Sequence, residues 1–186
     1  AKVLCNEGDI IITENPSFIG ALNAFRAYNA DIRGVDLEED GMNLEQLEKI
    51  LSENKNVKLI YTIPTFHNPA GITASLEKRK AVIALAEKYG VIILEDNPYG
   101  ELRFSGEDVP TMKSLDKNGV VVYCSSFSKV LSAGMRIGFL CGRSDIIQKV
   151  VVAKQVNDVH TNIFFQLLAS DFIEKFKADH RSFQKN

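Results

Sequence analysis

The sequence predicts a three-layer α/β/α protein with a mostly parallel sheet. Short apolar runs rich in β-branched residues alternate with segments of helical periodicity along almost the whole chain. This alternation is typical of βαβ units, which place helices on both faces of a parallel sheet. Runs without polar alternation indicate central strands that are covered on both faces. We expect residues 1–186 to form one domain of this class, since the length suits a single core.

Six elements are predicted in the first half of the chain. They are a strand at Ile10–Glu14, a helix at Ser17–Tyr28, a strand at Ile32–Leu37, a helix at Asn43–Leu51, a strand at Val57–Thr62 and a helix at Ser75–Tyr89. Pro16 and Ser17 are residues that often begin a helix, and Asn43 is a typical N-cap. Gly90 suits the left-handed position after a helix, so it marks the end of the sixth element.

The second half continues the alternation. Strands are predicted to begin at Val91, Val120 and Ile137, and helices are predicted at about Asp145–Val156 and Asn162–Lys177. The strand near 136–142 is expected to be antiparallel to the others. The stretch Ser105–Lys117 is the one long irregular connection that we expect.

Composition excludes several function classes. The chain is 45% hydrophobic with a net charge of −2, and it has no basic patch that would indicate nucleic-acid binding. No apolar run reaches the roughly 18 residues that span a bilayer. Cys5, Cys124 and Cys141 are odd in number and far apart, so we expect free thiols, no metal site and a reducing, cytoplasmic location.

The end of the Val120 strand carries the first motif with chemical meaning. The run Cys124–Lys129 places three serines before Lys129, among them Ser126 and Ser128, and Arg136 follows seven positions later. A lysine at a strand end can be desolvated, which lowers its pKa and lets its amine attack a carbonyl. Hydroxyls and an arginine suit a phosphate. The pattern suggests a Schiff base with pyridoxal 5′-phosphate (PLP), and the alternative is a solvated lysine.

The Val91 strand ends in an acid. Asp96 stands where the strand stops, and a carboxylate there is costly to bury without a cationic partner. A protonated pyridine nitrogen would be such a partner, because an acid at that position keeps the PLP ring an electron sink. Tyr99 could direct its phenol toward the ring hydroxyl. The alternative is that Asp96 caps a turn and Tyr99 only packs.

A third polar group follows the Val57 strand. Asn68 offers an amide donor, Pro69 restricts it to an extended or turn conformation, and Gly71 permits a tight bend. An ordinary Asn-Pro turn is the alternative. Three successive strands therefore deliver polar groups at their carboxyl ends, which is where open α/β sheets bind ligands.

These motifs together resemble a known family. The segments Asn68–Gly71, Asp96–Tyr99 and Ser126–Lys129 with Arg136 are similar to the signature of fold-type I PLP enzymes, in particular the class I/II aminotransferases. Within that family the resemblance is to 2-aminoadipate and multi-substrate aminotransferases. The stretch Gly8–Phe18 resembles the strand and aromatic turn of the family, so the resemblance covers essentially the whole chain.

The resemblance implies a role for each motif. Lys129 would carry the internal aldimine and move a proton between the substrate α-carbon and the cofactor, and Asp96 would pair with the pyridinium nitrogen. Asn68 and Tyr99 would hydrogen-bond the ring hydroxyl. The phosphate ligands implied are Ser126, Ser128 and Arg136.

Two further residues are candidates for the same site. The resemblance implies that Phe18 stacks on the cofactor ring. His67 could reach the site, but a single histidine beside a turn is more often a surface or packing residue.

The resemblance also implies a larger assembly. Family members have about twice this length, with a second, smaller domain that grips the substrate carboxylate, and they form homodimers. We therefore expect residues 1–186 to be the PLP-binding large domain, truncated at both ends and inactive by itself. The expected reaction is amino transfer between an amino acid and a 2-oxo acid. The alternatives are a PLP-sensing domain of a winged-helix transcription regulator and another PLP enzyme, such as a lyase or decarboxylase.

Overall fold

The computed structural model describes residues 1–177. These residues contain one seven-stranded sheet. Its strands are β1 (Ile10–Asn15), β2 (Asp31–Glu38), β3 (Gly41–Met42), β4 (Val57–Thr62), β5 (Ile92–Asp96), β6 (Val121–Ser126) and β7 (Gly138–Cys141). They lie side by side in the order β3-β2-β1-β4-β5-β6-β7. The five central strands are parallel, and β3 and β7 pair antiparallel at the two edges. The mostly parallel sheet is thus confirmed, and β7 is the antiparallel strand expected near 136–142.

Within residues 1–177, six helices accompany these strands. They are α1 (Ile19–Arg26), α2 (Leu44–Glu53), α3 (Leu76–Tyr89), α4 (Met112–Leu115), α5 (Ser144–Gln155) and α6 (Ile163–Lys177). The predicted cap at Asn43 is confirmed, since its side chain accepts the Gln46 N–H at 2.8 Å. Ser75, predicted as the first helical residue, caps α3 in the same way. Gly90 has a φ of +67° and ends α3, which is the conformation that favours glycine.

Four local features differ from the sequence prediction. Helix α1 begins at Ile19 instead of Ser17, because Phe18 has an extended backbone with a ψ of 116°. The connection Ser105–Lys117 is not wholly irregular: it contains α4, whose first turn is capped by the Thr111 hydroxyl. Strand β3 and a 3₁₀ turn at Ala133–Met135 were also not predicted, since both are too short to leave a periodic pattern.

Helices cover both faces of the sheet. Along β1, Ile10 and Ile12 point to the face covered by α2, α3 and α4, whereas Ile11 points to the opposite face. On that second face, Phe25 of α1 packs against β4. The predicted three-layer arrangement is therefore confirmed. No helix among residues 1–177 combines the length and apolar character needed to cross a bilayer.

A buried arginine ties the loops at the carboxyl edge of the sheet to α3. Arg79 is 1% exposed. Its guanidinium donates to the Pro64 carbonyl at 2.8 Å, the Thr65 hydroxyl at 2.9 Å and the Pro110 carbonyl at 3.1 Å, and its Nε donates to Ala74. One side chain therefore fixes the loop after β4 and the loop before α4.

Replacing this arginine by an apolar residue should destabilise the fold. Arg79→Met keeps the aliphatic volume but leaves several buried acceptors without a donor. Each such acceptor costs about 1–3 kcal/mol, so we expect the free energy of unfolding to fall by about 3 kcal/mol. Urea unfolding measures the change. Arg33→Met is the control, because Arg33 pairs with Asp31 at the surface and its loss should cost less than about 1 kcal/mol. Equal unfolding midpoints for the two variants would contradict the prediction.

Candidate functional site

The predicted functional residues leave the sheet along one edge. Strands β4, β5 and β6 are parallel neighbours, so the loops that carry Asn68, Tyr99 and Lys129 all begin at their carboxyl ends. The chain reaches β2 on one side of β1 and then returns to β4 on the other side. Open α/β sheets bind ligands near such a reversal of strand order.

Asp96 is the last residue of β5, and its carboxylate is partly buried. The hydroxyl of Tyr61 on β4 donates to Asp96 Oδ2 at 2.7 Å. Burial raises the pKa of Asp96, and the charge of Glu14 acts in the same direction, whereas the hydrogen bond from Tyr61 opposes the rise. Asp96 is thus a strand-end acid, as predicted, in surroundings where a positive partner would stabilise its ionised form.

Asn68, Tyr99 and Lys129 come together from three different loops. Asn68 Nδ2 lies 3.5 Å from the Tyr99 hydroxyl, which is a long hydrogen bond. Lys129 Nζ lies 5.7 Å from the centre of the Tyr99 ring, within the range of a cation–π contact. Tyr99 therefore connects the amide of one motif to the amine of another.

The two serines and the arginine form a cradle suited to an anion. Ser126 Oγ donates to Ser128 Oγ at 2.7 Å, and Ser126 Oγ also accepts the backbone N–H of Ser128 at 3.0 Å. Arg136 Nη1 approaches Ser128 Oγ at 3.4 Å and donates to the Ala133 carbonyl at 3.0 Å. The 3₁₀ turn explains this approach, because it folds Arg136 back over the serines. Two hydroxyls beside a guanidinium are the donor set that a phosphate prefers.

Apolar packing fixes the segment that carries the lysine. Phe127 and Leu131 flank Lys129 and pack against Met135 and Ile137, and Ala169 of α6 is buried in the same cluster. Since the residues on both sides of Lys129 are held by the core, the lysine side chain starts from a fixed backbone.

Phe18 lies at the same edge but apart from the other site residues. It follows β1, is 39% exposed, and its ring lies against Gly20. Within residues 1–177 it forms no aromatic pair with Tyr99. Stacking of Phe18 on a cofactor ring stays a prediction.

His67 is neither exposed nor isolated. It lies 3% exposed directly before Asn68, with Nε2 3.4 Å from a carboxylate oxygen of Glu14. Glu14 also accepts the backbone N–H of Ile63 at 3.0 Å, and His67 Nδ1 accepts the N–H of Ala70 at 3.2 Å. The pair therefore supports the turn that presents Asn68. Sequence reasoning missed Glu14, because nothing local signals that β1 and β4 are neighbours.

An open groove of about 470 Å³ begins beside these residues. Asn68 and Tyr99 line one end, and Phe66, Leu102 and Phe104 supply an apolar wall. Among the described residues, no group of three or more His, Cys, Asp and Glu side chains is placed to hold a metal ion.

The geometry defines an α/β protein with an acid, an amine and an anion cradle at the carboxyl edge of its sheet. The profile of the family "Aminotransferase class I and II" matches residues 1–180, and the chain belongs to this family. The resemblance that the motifs indicated is thereby confirmed.

Three relatives illustrate the similarity. The chain is 45% identical over 177 residues to Aromatic-amino-acid aminotransferase 1 of Thermococcus litoralis, which covers 93% of this chain and 42% of that protein. The crystal structure of a multiple substrate aminotransferase from Thermococcus profundus superposes with a TM-score of 0.92 at 40% identity, covering 96% of this chain and 45% of that one. LysN, an α-aminoadipate aminotransferase from Thermus thermophilus, gives a TM-score of 0.83 at 34% identity, with 99% and 49% covered. The chain thus spans less than half the length of these relatives.

A thiol beside the acid provides a probe of the site. Cys124 lies opposite Asp96 in the β5–β6 pairing. Burial, followed by the charge of Asp96, raises the pKa of the Cys124 thiol to about 12. We therefore expect Cys124 to be alkylated by iodoacetamide at pH 8 at least about tenfold more slowly than the exposed Cys141, because the thiolate is the reactive form.

Removing the neighbouring charge should change this rate. Asp96→Asn should speed alkylation of Cys124 and leave Cys141 unchanged, which peptide mapping can follow over time. Cys141 serves as the internal control. Alkylation of Cys124 as fast as Cys141 in the unmutated protein would show that the interior next to Asp96 is open to solvent.

Proposed function

We propose that this chain is the cofactor-binding part of a PLP-dependent aminotransferase, which transfers an amino group between an amino acid and a 2-oxo acid. One observation carries the proposal: an acid, an amine and an anion cradle meet at one sheet edge. Among the relatives, LysN was solved with N-(5′-phosphopyridoxyl)-L-leucine. A kynurenine aminotransferase from Pyrococcus horikoshii, which is 42% identical over 98% of this chain, was solved with PMP. These ligands support PLP as the cofactor here.

The donor set fits the chemical groups of PLP. Ser126, Ser128 and Arg136 would hold the phosphate, since they combine hydroxyl donors with a guanidinium. Asp96 would accept a hydrogen bond from the protonated ring nitrogen. Within residues 1–177 its side-chain donor is the Tyr61 hydroxyl on Oδ2, which leaves an acceptor position for the ring. When bound, PLP supplies an electron sink for negative charge at the substrate α-carbon.

Lys129 would hold the cofactor through its amine and would also carry a proton at Nζ. In its neutral form, the Lys129 Nζ would accept the proton from the substrate α-carbon. The Tyr99 ring, 5.7 Å from Nζ, restricts where the amine can lie. Asn68 and Tyr99 would hold the ring hydroxyl of the cofactor, and their contact at 3.5 Å keeps both groups on one side of the site.

The alternatives use the same residues. A lyase or decarboxylase would need the same acid and amine, and a regulator would need only the binding part of the site. Neither is favoured, because the family and the relatives described above are aminotransferases. The homodimer and the cytoplasmic location stay predictions.

We expect that these 186 residues alone do not catalyse transamination. Transamination requires the substrate carboxylate to be held while the bond to the α-hydrogen is aligned with the ring, a positioning effect worth several kcal/mol. Within the described residues, Arg136 contacts Ser128 of the lysine-bearing segment. The phosphate would bind this arginine, so Arg136 would not serve the substrate carboxylate. An assay with a panel of amino acids and 2-oxoglutarate tests the expectation, and turnover near the roughly 10 s⁻¹ of typical enzymes would contradict it.

Covalent labelling tests the role of Lys129. Borohydride reduction of the protein mixed with PLP should leave a pyridoxyl group on Lys129, which mass spectrometry of peptides would locate. Lys129→Ala should abolish the label and keep the fold. Lys80→Ala is the control, because Lys80 lies at the surface of α3 and pairs with Glu77. A label on another lysine, with Lys129 unmodified, would refute the assignment.

The acid can be tested through cofactor affinity. Asp96→Asn keeps the shape and the contact with Tyr61 but removes the charge that would pair with the ring nitrogen. A hydrogen bond to a charged group is worth roughly 1.5–3 kcal/mol, so we expect a tenfold to hundredfold weaker binding of PLP, measured by absorbance titration. Asp145→Asn, which changes a surface pair with Arg143, should have no effect. Unchanged affinity in Asp96→Asn would mean that Asp96 is only a turn residue.

A further inference from the structure

We propose that Tyr61 is a positioning residue for Asp96: its hydroxyl holds one carboxylate oxygen so that the other faces the cofactor ring. The inference rests on the proposed function, since it assigns a residue to the same site. No motif in the sequence singles out Tyr61, because it lies within an apolar strand. Its place in the sheet is the observation that carries the inference.

The sheet brings the two side chains to the same face. In the β4–β5 pairing, Tyr61 is opposite Leu94, and Asp96 lies two residues farther along β5. Side chains alternate along a strand, so Leu94 and Asp96 share a face with Tyr61. The long tyrosine side chain spans this diagonal and donates to Asp96 Oδ2 at 2.7 Å, which is the length of a strong hydrogen bond to a carboxylate.

The tyrosine itself is held firmly. It is 2% exposed, and the Phe25 ring of α1 meets it edge to face, with the ring centres 5.4 Å apart and a 74° angle between the planes. Leu59 and Ile63 of the same strand segment complete the surrounding cluster. Because the ring cannot turn freely, its hydroxyl defines the direction of the carboxylate.

The hydroxyl also supports the charge of Asp96. Glu14 from β1 and Tyr61 from β4 act on the pKa of Asp96, and Cys124 of β6 lies opposite it in the sheet. Burial and the charge of Glu14 favour the protonated form of Asp96, whereas the hydrogen bond that Tyr61 donates favours its carboxylate form. Burial, with the charge of Asp96, raises the pKa of Tyr61 far above its ordinary value, so the hydroxyl remains a donor at every physiological pH.

The contrast with another buried acid strengthens the assignment. Glu95, the neighbour of Asp96 in sequence, accepts the backbone N–H groups of Met112 and Lys113, both at 2.8 Å. Both of its oxygens are therefore used by the fold. Asp96 is instead held on one oxygen by a side chain, an arrangement that leaves the second oxygen for a ligand.

The sign of the expected pH effect follows from these contacts. Removing the Tyr61 hydroxyl takes away a donor that lowers the pKa of Asp96, so that pKa rises. The carboxylate then becomes protonated at a higher pH as acid is added. PLP binding that requires the charged carboxylate should consequently weaken at a higher pH in Tyr61→Phe than in the unmutated chain.

The test uses Tyr61→Phe in the 186-residue chain, because this change removes one oxygen and keeps the buried ring. We expect PLP to bind about three- to tenfold more weakly at neutral pH, as for the loss of one hydrogen bond. The pH at which affinity is half-maximal should move upward, and Lys129 should still be labelled after borohydride reduction. Tyr89→Phe is the matched control, since the Tyr89 hydroxyl also contacts a carboxylate, that of Glu48, on the other side of the core.

A second measurement does not need the cofactor. The titration of the Asp96 carboxyl, followed by carbon NMR in the cofactor-free protein, should shift to higher pH in Tyr61→Phe and stay unchanged in Tyr89→Phe. Tyr61 would be a packing residue only if the variant lost stability in urea but kept both the NMR titration and the pH profile of PLP affinity. Absence of saturable PLP binding in the unmutated chain would instead overturn the proposed function, while the NMR result would still decide whether Tyr61 controls the acid.

Discussion

Parallel pairing of β4, β5 and β6 is the constraint on which the site depends. Backbone hydrogen bonds hold Thr62 opposite Glu95 and Asp96 opposite Cys124, so the three strands end together. The loops that follow therefore start within reach of one another. A slip of one residue in β5 would exchange the two faces of that strand and turn Asp96 toward the α2–α3 side. The same register that packs the core thus also selects which acid faces the site.

Buried carboxylates at this edge serve different purposes, and their donors distinguish them. Glu14 accepts the backbone N–H of Ile63, and Glu95 accepts two backbone N–H groups at the start of α4. Donors from the fold engage both oxygens of each of these two acids, since Glu14 also accepts the Thr62 hydroxyl and lies against His67. Asp96 is held by the side chain of Tyr61, and the burial that raises its pKa makes a cationic ligand favourable. This difference is the physical basis for assigning Asp96 to the cofactor.

The lysine-bearing segment is positioned by a separate small core. Met135 and Ile137 anchor one side of it, and Ala169 of α6 closes the cluster. The 3₁₀ turn between the segment and β7 lets Arg136 return to Ser128. Reactive groups of the site lie on loops, and two of these loops are fixed. Apolar contacts hold the lysine-bearing segment, and Arg79 donates to the Pro64 carbonyl at the start of the loop that carries Asn68.

The sequence by itself determined the alternation of strands and helices, the cap at Asn43, the helix end at Gly90, and the polar groups at three strand ends. These features are local, because they depend on periodicity and on side chains that bond their own backbone. The contact of Tyr61 with Asp96 and that of Glu14 with His67 were decided only by the tertiary structure. Their partners are 35 or more residues apart, and they meet because the chain places β4 between β1 and β5. Strand order depends on how the whole core packs, and no local pattern records it.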